Sequence, residues 1–183
     1  MTPAAGRLLV ATPILGDPNF DRTVVLLLEH GEEGALGLVL NRPTATGVTA
    51  PFPGWLDRVA APPVLFAGGP VAPAAAIGLA RAGADGQAEG WAPLLGRLGT
   101  VDLAREPAEL PVALEAVRVF AGYAGWGAGQ LEGEIGAGAW FVVDSQPGDA
   151  FTPVPARLWR DVLRRQRGRL ALFAHAPTDP DLN

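Results

Sequence analysis

Two runs of largely apolar residues, Thr23–Glu29 and Ala35–Leu40, flank a short link, His30-Gly31-Glu32-Glu33-Gly34. Neither run alternates polar and apolar positions, as a strand with one wet face would. The pattern predicts a central hairpin, covered on both faces and joined by a bulged or longer turn. Arg7–Ala11 predicts a first strand, and Pro63–Ala67 another that runs into a sharp turn at Gly68-Gly69-Pro70. Pro51–Pro53 breaks the chain before a short helical stretch at Gly54–Ala60. Ala75–Ala80 and Gly99–Leu103 are weaker strand patterns around a glycine-rich loop near Gly83–Gly90.

Ala116–Ala121 does alternate, with Val117, Val119 and Ala121 on one face and Arg118 and Phe120 on the other. Ala139–Val143 predicts one more buried strand. Pro155–Arg167 has the period of an amphipathic helix: Leu158, Trp159, Val162 and Leu163 form a stripe, Pro155 opens it and Gly168 lies past its end. Thr178–Asn183 reads as a loose tail. Strands dominate the first half and helices punctuate the second, so the expectation is one α+β domain over residues 1–183 with a mixed sheet.

Several blocks fall together in order. They are Asp17-Pro18-Asn19-Phe20, Glu29-His30, Gly34-Ala35-Leu36-Gly37-Leu38-Val39-Leu40-Asn41-Arg42-Pro43, Gly68-Gly69-Pro70-Val71, Gly122-Tyr123-Ala124-Gly125-Trp126-Gly127 and Gly129-Gln130-Leu131-Glu132. In this order, over nearly the whole chain, they resemble the YqgE/AlgH family of bacterial proteins. The resemblance implies a mostly antiparallel mixed sheet with a barrel-like core flanked by helices. It makes Asp17, Phe20, Gly68, Gly69, Pro70, Gly125, Gly127, Gly129 and Glu132 motif positions with a structural role. It brings no established activity. One branch is associated with transcriptional control of exopolysaccharide synthesis, and members often carry a transcriptional-regulator label. Ala128 stands where the family usually has Pro, and Gly133 where it usually has Glu. Gly133 weakens a helix interior by about 1 kcal/mol relative to Ala.

Composition narrows the chemistry. With no Cys, disulfides, thiolate metal sites and thiol nucleophiles are excluded. Every basic residue other than the two His is Arg, which removes Schiff-base chemistry and the phosphate-loop lysine. No apolar run approaches the ~20 residues of a membrane span, and Pro13, Asp17 and Asp21 interrupt any leader-like core. A cytoplasmic protein is expected.

The stretch GYAGWGAGQLEGEIG, Gly122–Gly136, is the one that invites a ligand. Its glycines miss the dinucleotide spacing G-x-G-x-x-G, since position 130 is Gln. The expectation is a strand-to-helix turn, with Gly129 as N-cap and Glu132 folding back as half of a capping box. Leu131 and Ile135 then anchor the helix. Tyr123, Trp126 and Gln130 remain candidates to line a pocket for a planar ligand, with ordinary core packing as the competing reading. His30, Asn41 and Arg42 join them, because loops that follow a central strand often carry function. Arg42 either holds an anion or pairs with Asp17 or Asp21. Ser145 lies in a turn with no nucleophile elbow around it. Glu29, His30, Glu32 and Glu33 do not converge on a strand and its turn, so no metal and no cofactor is expected.

From Arg157 to Arg169 the chain carries Arg157, Arg160, Arg164, Arg165, Arg167 and Arg169 against one acid, Asp161. The segment is +5 within a chain of −5, leaving −10 elsewhere. That asymmetry suggests nucleic acid or another acidic partner, or a solvated helix face that balances acids elsewhere in the fold. Three classes of function stand open. The favoured one is a non-catalytic binding or regulatory domain with an unknown protein or small-molecule partner. The others are direct nucleic-acid binding through Arg157–Arg169, and an enzyme of unrecognised type using His30, Arg42, Trp126, Gln130 or Glu132.

Overall fold

A computed structural model describes residues 5–83, 88–110 and 112–175. The two long apolar runs pair as expected: β2 (Val24–Gly31) and β3 (Gly34–Val39) form an antiparallel hairpin. The turn is tighter than the sequence pattern indicates, because Gly31 still pairs with Gly34 and only Glu32 and Glu33 remain outside the ladder. The irregularity falls inside the strand instead, where the register shifts between Leu27 and Glu29. Val24–Leu27 are buried without a break, as a strand covered on both faces requires.

The remaining strands are β1 (Leu8–Ala11), β4 (Pro43–Gly47), β5 (Val64–Ala67), β6 (Val71–Ala82), β7 (Trp91–Leu95), β8 (Leu98–Val101), β9 (Leu114–Gly127) and β10 (Trp140–Val143). They form one ten-stranded sheet with the path β10-β1-β2-β3-β9-β6-β8-β7, and β5, itself paired with β4, joins it through β9. All pairs are antiparallel except β5 with β9. The sheet curls into a half-barrel, and the α+β expectation holds.

Alternate side chains feed two apolar layers. Leu8, Val10, Val24, Leu26 and Leu38 join Phe66, Phe120 and the buried stripe of helix α2 (Leu158–Arg164). Leu9, Ala11, Val25, Leu27 and Val39 join Trp126, Trp140 and Leu131 of helix α1 (Gln130–Gly136). A third cluster gathers around Trp55 and Trp91. Among the described residues no helix is long and apolar enough to cross a membrane.

Three expectations change. First, Gly122–Gly127 is not a loop: β9 is 14 residues long and includes the whole Gly–Trp stretch, so the turn shrinks to Ala128-Gly129. Second, the predicted helix over 155–167 is a 3-10 turn (Pro155–Arg157) followed by α2, which stops at Arg164; beyond the predicted end, after Gly168, comes a short helix α3 (Arg169–Phe173). Gly168, with a φ of 69°, marks the break. Third, the stretch expected as a helix at Gly54–Ala60 is a 3-10 turn, Pro53–Arg58, that buries Trp55. Residues 84–87 of the predicted loop and the predicted tail lie outside the described residues.

The glycine motifs explain the length of β9. At Gly68 a Cβ would fall within 3.0 Å of the Gly122 carbonyl, and at Gly69 within 3.0 Å of the Tyr123 and Ala124 backbone. At Gly122 it would meet the carbonyl oxygens of Gly69 and Val71 at 2.7 and 2.8 Å. The two motifs interlock backbone against backbone, which only residues without a Cβ permit.

Candidate functional site

The first site is built by the loop between β1 and β2. Asp17 Oδ1 accepts from the backbone and side chain of Asn19, at 2.8 and 3.0 Å. The carbonyls of Asp17 and Phe20 accept the next two turn amides, from Phe20 and Thr23. The loop delivers Arg22 at a φ of 51°, a left-handed conformation that a non-glycine residue rarely holds without a reason. Asn41, at the end of β3, supplies the clamp: its Nδ2 donates to the Arg22 carbonyl at 2.9 Å and its Oδ1 accepts from Val24 N at 3.0 Å. Arg42 donates to the Asp21 carbonyl, not to a carboxylate.

Helix α2 faces this loop. Trp159 is buried, its indole Nε1 donates to the Ala11 carbonyl at 2.9 Å, and the Arg22 guanidinium lies 5.0 Å from its ring centre. Between them opens a cleft of about 450 Å³ lined by Arg22, Asn41, Arg42, Pro43, Ala156, Trp159 and Arg160. Arg42 is half-buried, and the exposed Arg160 forms no ion pair among the described residues. Three guanidinium-bearing side chains therefore meet at one opening that has no carboxylate in its lining among the described residues.

The second group surrounds α1. Gly129 is the N-cap, with a φ of 73°, but no capping box forms: the Glu132 carboxylate meets its own backbone N–H rather than that of Gly129. It accepts a hydrogen bond from His30 Nε2 at 2.6 Å, across from the β2 end. The side-chain oxygen that approaches the turn belongs to Gln130, which accepts Gly127 N at 3.1 Å. Leu131 is buried and Ile135 packs beside it, as expected. Glu134, which the sequence reading passes over, holds this group together. Its carboxylate accepts from Trp126 Nε1 at 3.0 Å, Trp140 Nε1 at 2.8 Å and Gln130 Nε2 at 2.9 Å. Phe20 stacks on Trp126 and meets Trp140 edge-on. Trp126 is thus enclosed by side chains, and its N–H is satisfied. Tyr123 packs with the opposite apolar layer, because it lies three positions, an odd offset, from Trp126 along β9.

The His30 bond holds the Glu132 carboxyl below its ordinary range, supported by a backbone hydrogen bond. A carboxylate whose folded pKa is depressed adds stability that is full above the unfolded value. That increment is lost as pH falls through the lowered folded value. The expected result is an NMR-monitored Glu132 titration with a midpoint below 4.5, returning toward it in His30→Ala. An unchanged midpoint in the variant would remove His30 as the cause.

The remaining candidates separate. Ser145 Oγ donates to the Gly6 carbonyl at 2.6 Å. No group of three His, Cys, Asp or Glu among the described residues could hold a metal. The basic segment is not a uniform face. Arg165 is forked on Asp149 at 2.5 and 2.6 Å, and Arg157 pairs with Asp161 at 3.8 Å. Arg160 turns to the cleft, while Arg164, Arg167 and Arg169 are exposed. Arg22 and Trp159 carry no motif signal for a site; only the fold brings them to Asn41 and Arg42.

Comparison with known proteins adds context. The family model described as "DUF179: AlgH-like" matches residues 8–171. A UPF0301 protein of Streptomyces avermitilis is 57% identical over 182 residues, covering 97% of this chain and 94% of that protein. A UPF0301 protein of Mycobacterium tuberculosis is 45% identical, covering 98% and 90%. A crystal structure of a Corynebacterium diphtheriae protein aligns with a TM-score of 0.88 and 34% identity, over 96% of this chain and 94% of that one. The solution structure of the AlgH protein from Pseudomonas aeruginosa aligns with a TM-score of 0.68 and 28% identity, over 98% of each chain.

Proposed function

We propose that this chain, which belongs to the AlgH-like family, is a non-catalytic binding domain with a regulatory role in the cytoplasm, and that it binds its ligand in the cleft between Arg22, Arg42 and Arg160. One observation carries the reading. The cleft is rich in fixed positive charge, and among the described residues its lining holds no nucleophile, no general base and no acid. Groups of this kind attract and orient an anion without a partner for proton transfer. Elsewhere, three side chains that could act chemically are engaged: Ser145 with a carbonyl, His30 with Glu132, and Glu134 with two indoles.

Direct nucleic-acid binding is the second reading, favoured by exposed Arg164, Arg167 and Arg169. The division of the basic segment into two short helices, and the pairing of Arg157 and Arg165, weaken it.

The test is an NMR titration of isotope-labelled protein. One arm uses a defined mixture of sugar phosphates, nucleotides and di- and tricarboxylates; the other uses a short DNA duplex at low and moderate salt. The expected result is saturable shifts at residues 22, 41, 42 and 156–160 with the mixture, whose components come through unchanged. Consumption of any component would make the protein an enzyme. Salt-sensitive shifts spread over Arg164, Arg167 and Arg169 with the duplex alone would establish the second reading.

A further inference from the structure

We infer that the cleft selects a small ligand through a phosphoryl or diphosphoryl group, held from opposite walls by Arg42 and Arg160; this rests on the binding reading above. The guanidinium groups arrive from different places: Arg22 from the loop before β2, Arg42 from the link between β3 and β4, and Arg160 from α2. A carboxylate presents its two oxygens in one plane and suits one guanidinium fork. A tetrahedral phosphoryl group presents oxygens in three directions, and a diphosphate presents more, so it can accept from several walls at once.

The other surfaces of the cleft argue for the same class by what they do not offer. The Asn41 amide is committed at both ends, to Arg22 O and Val24 N, so it does not read a base edge. Trp159 is buried, with its N–H on Ala11 and the Arg22 guanidinium over its ring, so it does not present a face for a base to stack on. Among the described residues no carboxylate lines the opening, and the charged groups that line it are guanidinium groups. The volume, about 450 Å³, suits a small metabolite and is well short of a duplex.

The strain at Arg22 fits this assignment. Asn41 holds the Arg22 carbonyl in the left-handed turn, and Arg42 fastens the preceding residue through its carbonyl. The cleft wall is fixed before any ligand arrives, which reduces the ordering a small anion must bring about.

Inorganic pyrophosphate is the probe, with citrate as the carboxylate control, each titrated against the full labelled chain. Saturable shifts at residues 22, 42, 159 and 160 are expected with pyrophosphate. Arg160→Ala should weaken binding about tenfold or more, since a charge-assisted contact is lost from an exposed residue that nothing else depends on. Arg164→Ala removes the same charge one helical turn away, outside the cleft lining, and should weaken binding by a clearly smaller factor than Arg160→Ala. Arg42→Lys keeps the charge but loses the fork, and should weaken binding while the spectrum stays folded. Equal losses in Arg160→Ala and Arg164→Ala would overturn the site in favour of diffuse attraction. Citrate saturating the cleft while pyrophosphate fails up to ~10 mM would overturn the phosphate class and leave the binding reading standing. Silence of both probes, together with silence of the metabolite mixture, would remove both.

Discussion

Arg118→Ala is expected to lower the free energy of unfolding by about 3–5 kcal/mol, measured by urea denaturation followed through Trp fluorescence. Arg118 is 1% exposed in the middle of β9, and no carboxylate pairs with it among the described residues. Its guanidinium donates to the carbonyls of Ala150, Thr152 and Ala61 at 3.0, 3.1 and 2.5 Å, and lies 4.2 Å from the Phe66 ring centre. Burial pushes its pKa down to about 10, which still leaves it charged at neutral pH. Truncation removes the donors from three backbone acceptors and leaves a void beside Phe66. Arg118→Met separates the two effects. It fills most of the space but donates nothing, so it should fall between the parent and Arg118→Ala. A loss under about 1 kcal/mol in Arg118→Ala would mean that the carbonyls find other donors.

Gly69→Ala should cost about 3 kcal/mol or more, or prevent folding outright. The residue sits at a φ of 154°, with the backbone of Tyr123 and Ala124 where a Cβ would go. No side chain can swing aside to relieve that overlap, because the obstacles are main-chain atoms of a central strand. Gly133→Ala is the contrast. Gly133 is exposed in α1 and nothing lies within 4 Å of its added Cβ. That substitution should add about 0.5–1 kcal/mol by restoring helix propensity. Denaturation curves of the two variants that coincide would defeat the interlock account.

Much of the sheet was legible because burial on both faces leaves an unbroken apolar run, as in Val24–Leu27. Strands lacking such a run were not. β4 is largely exposed and opens with Pro43, and β7 contains Pro93, so neither looks like a strand by its pattern. The Gly–Trp stretch misled for the opposite reason. Glycine usually signals a turn, yet Gly122 sits where β9 passes against the Gly68-Gly69 backbone. That approach is a tertiary fact with no local trace. At the site, Asn41 and Arg42 stood out because they end a central strand. Arg160 was visible only as one charge in a basic run. Arg22 and Trp159 were not visible as site residues at all, since a loop and a helix 137 residues further along meet only after folding. Glu134 was passed over because nothing in the sequence marks its partners, two core indoles and an exposed amide, as meeting one carboxylate. Arg118 read as one position of an alternating strand, and nothing nearby announced the carbonyls that receive it.

The pairing of β1 with β10 has a consequence for how the chain is made. Leu8 aligns with Val143, and Arg7 reaches the Val142 carbonyl across 135 residues. During synthesis the β2–β3 hairpin can close as soon as it leaves the ribosome, since its partners are neighbours in the chain. The outer edge of β1 must wait for nearly the whole protein. Until then the nascent chain presents an unpaired, apolar strand edge, and the growing protein is most vulnerable to capture by other chains during that interval.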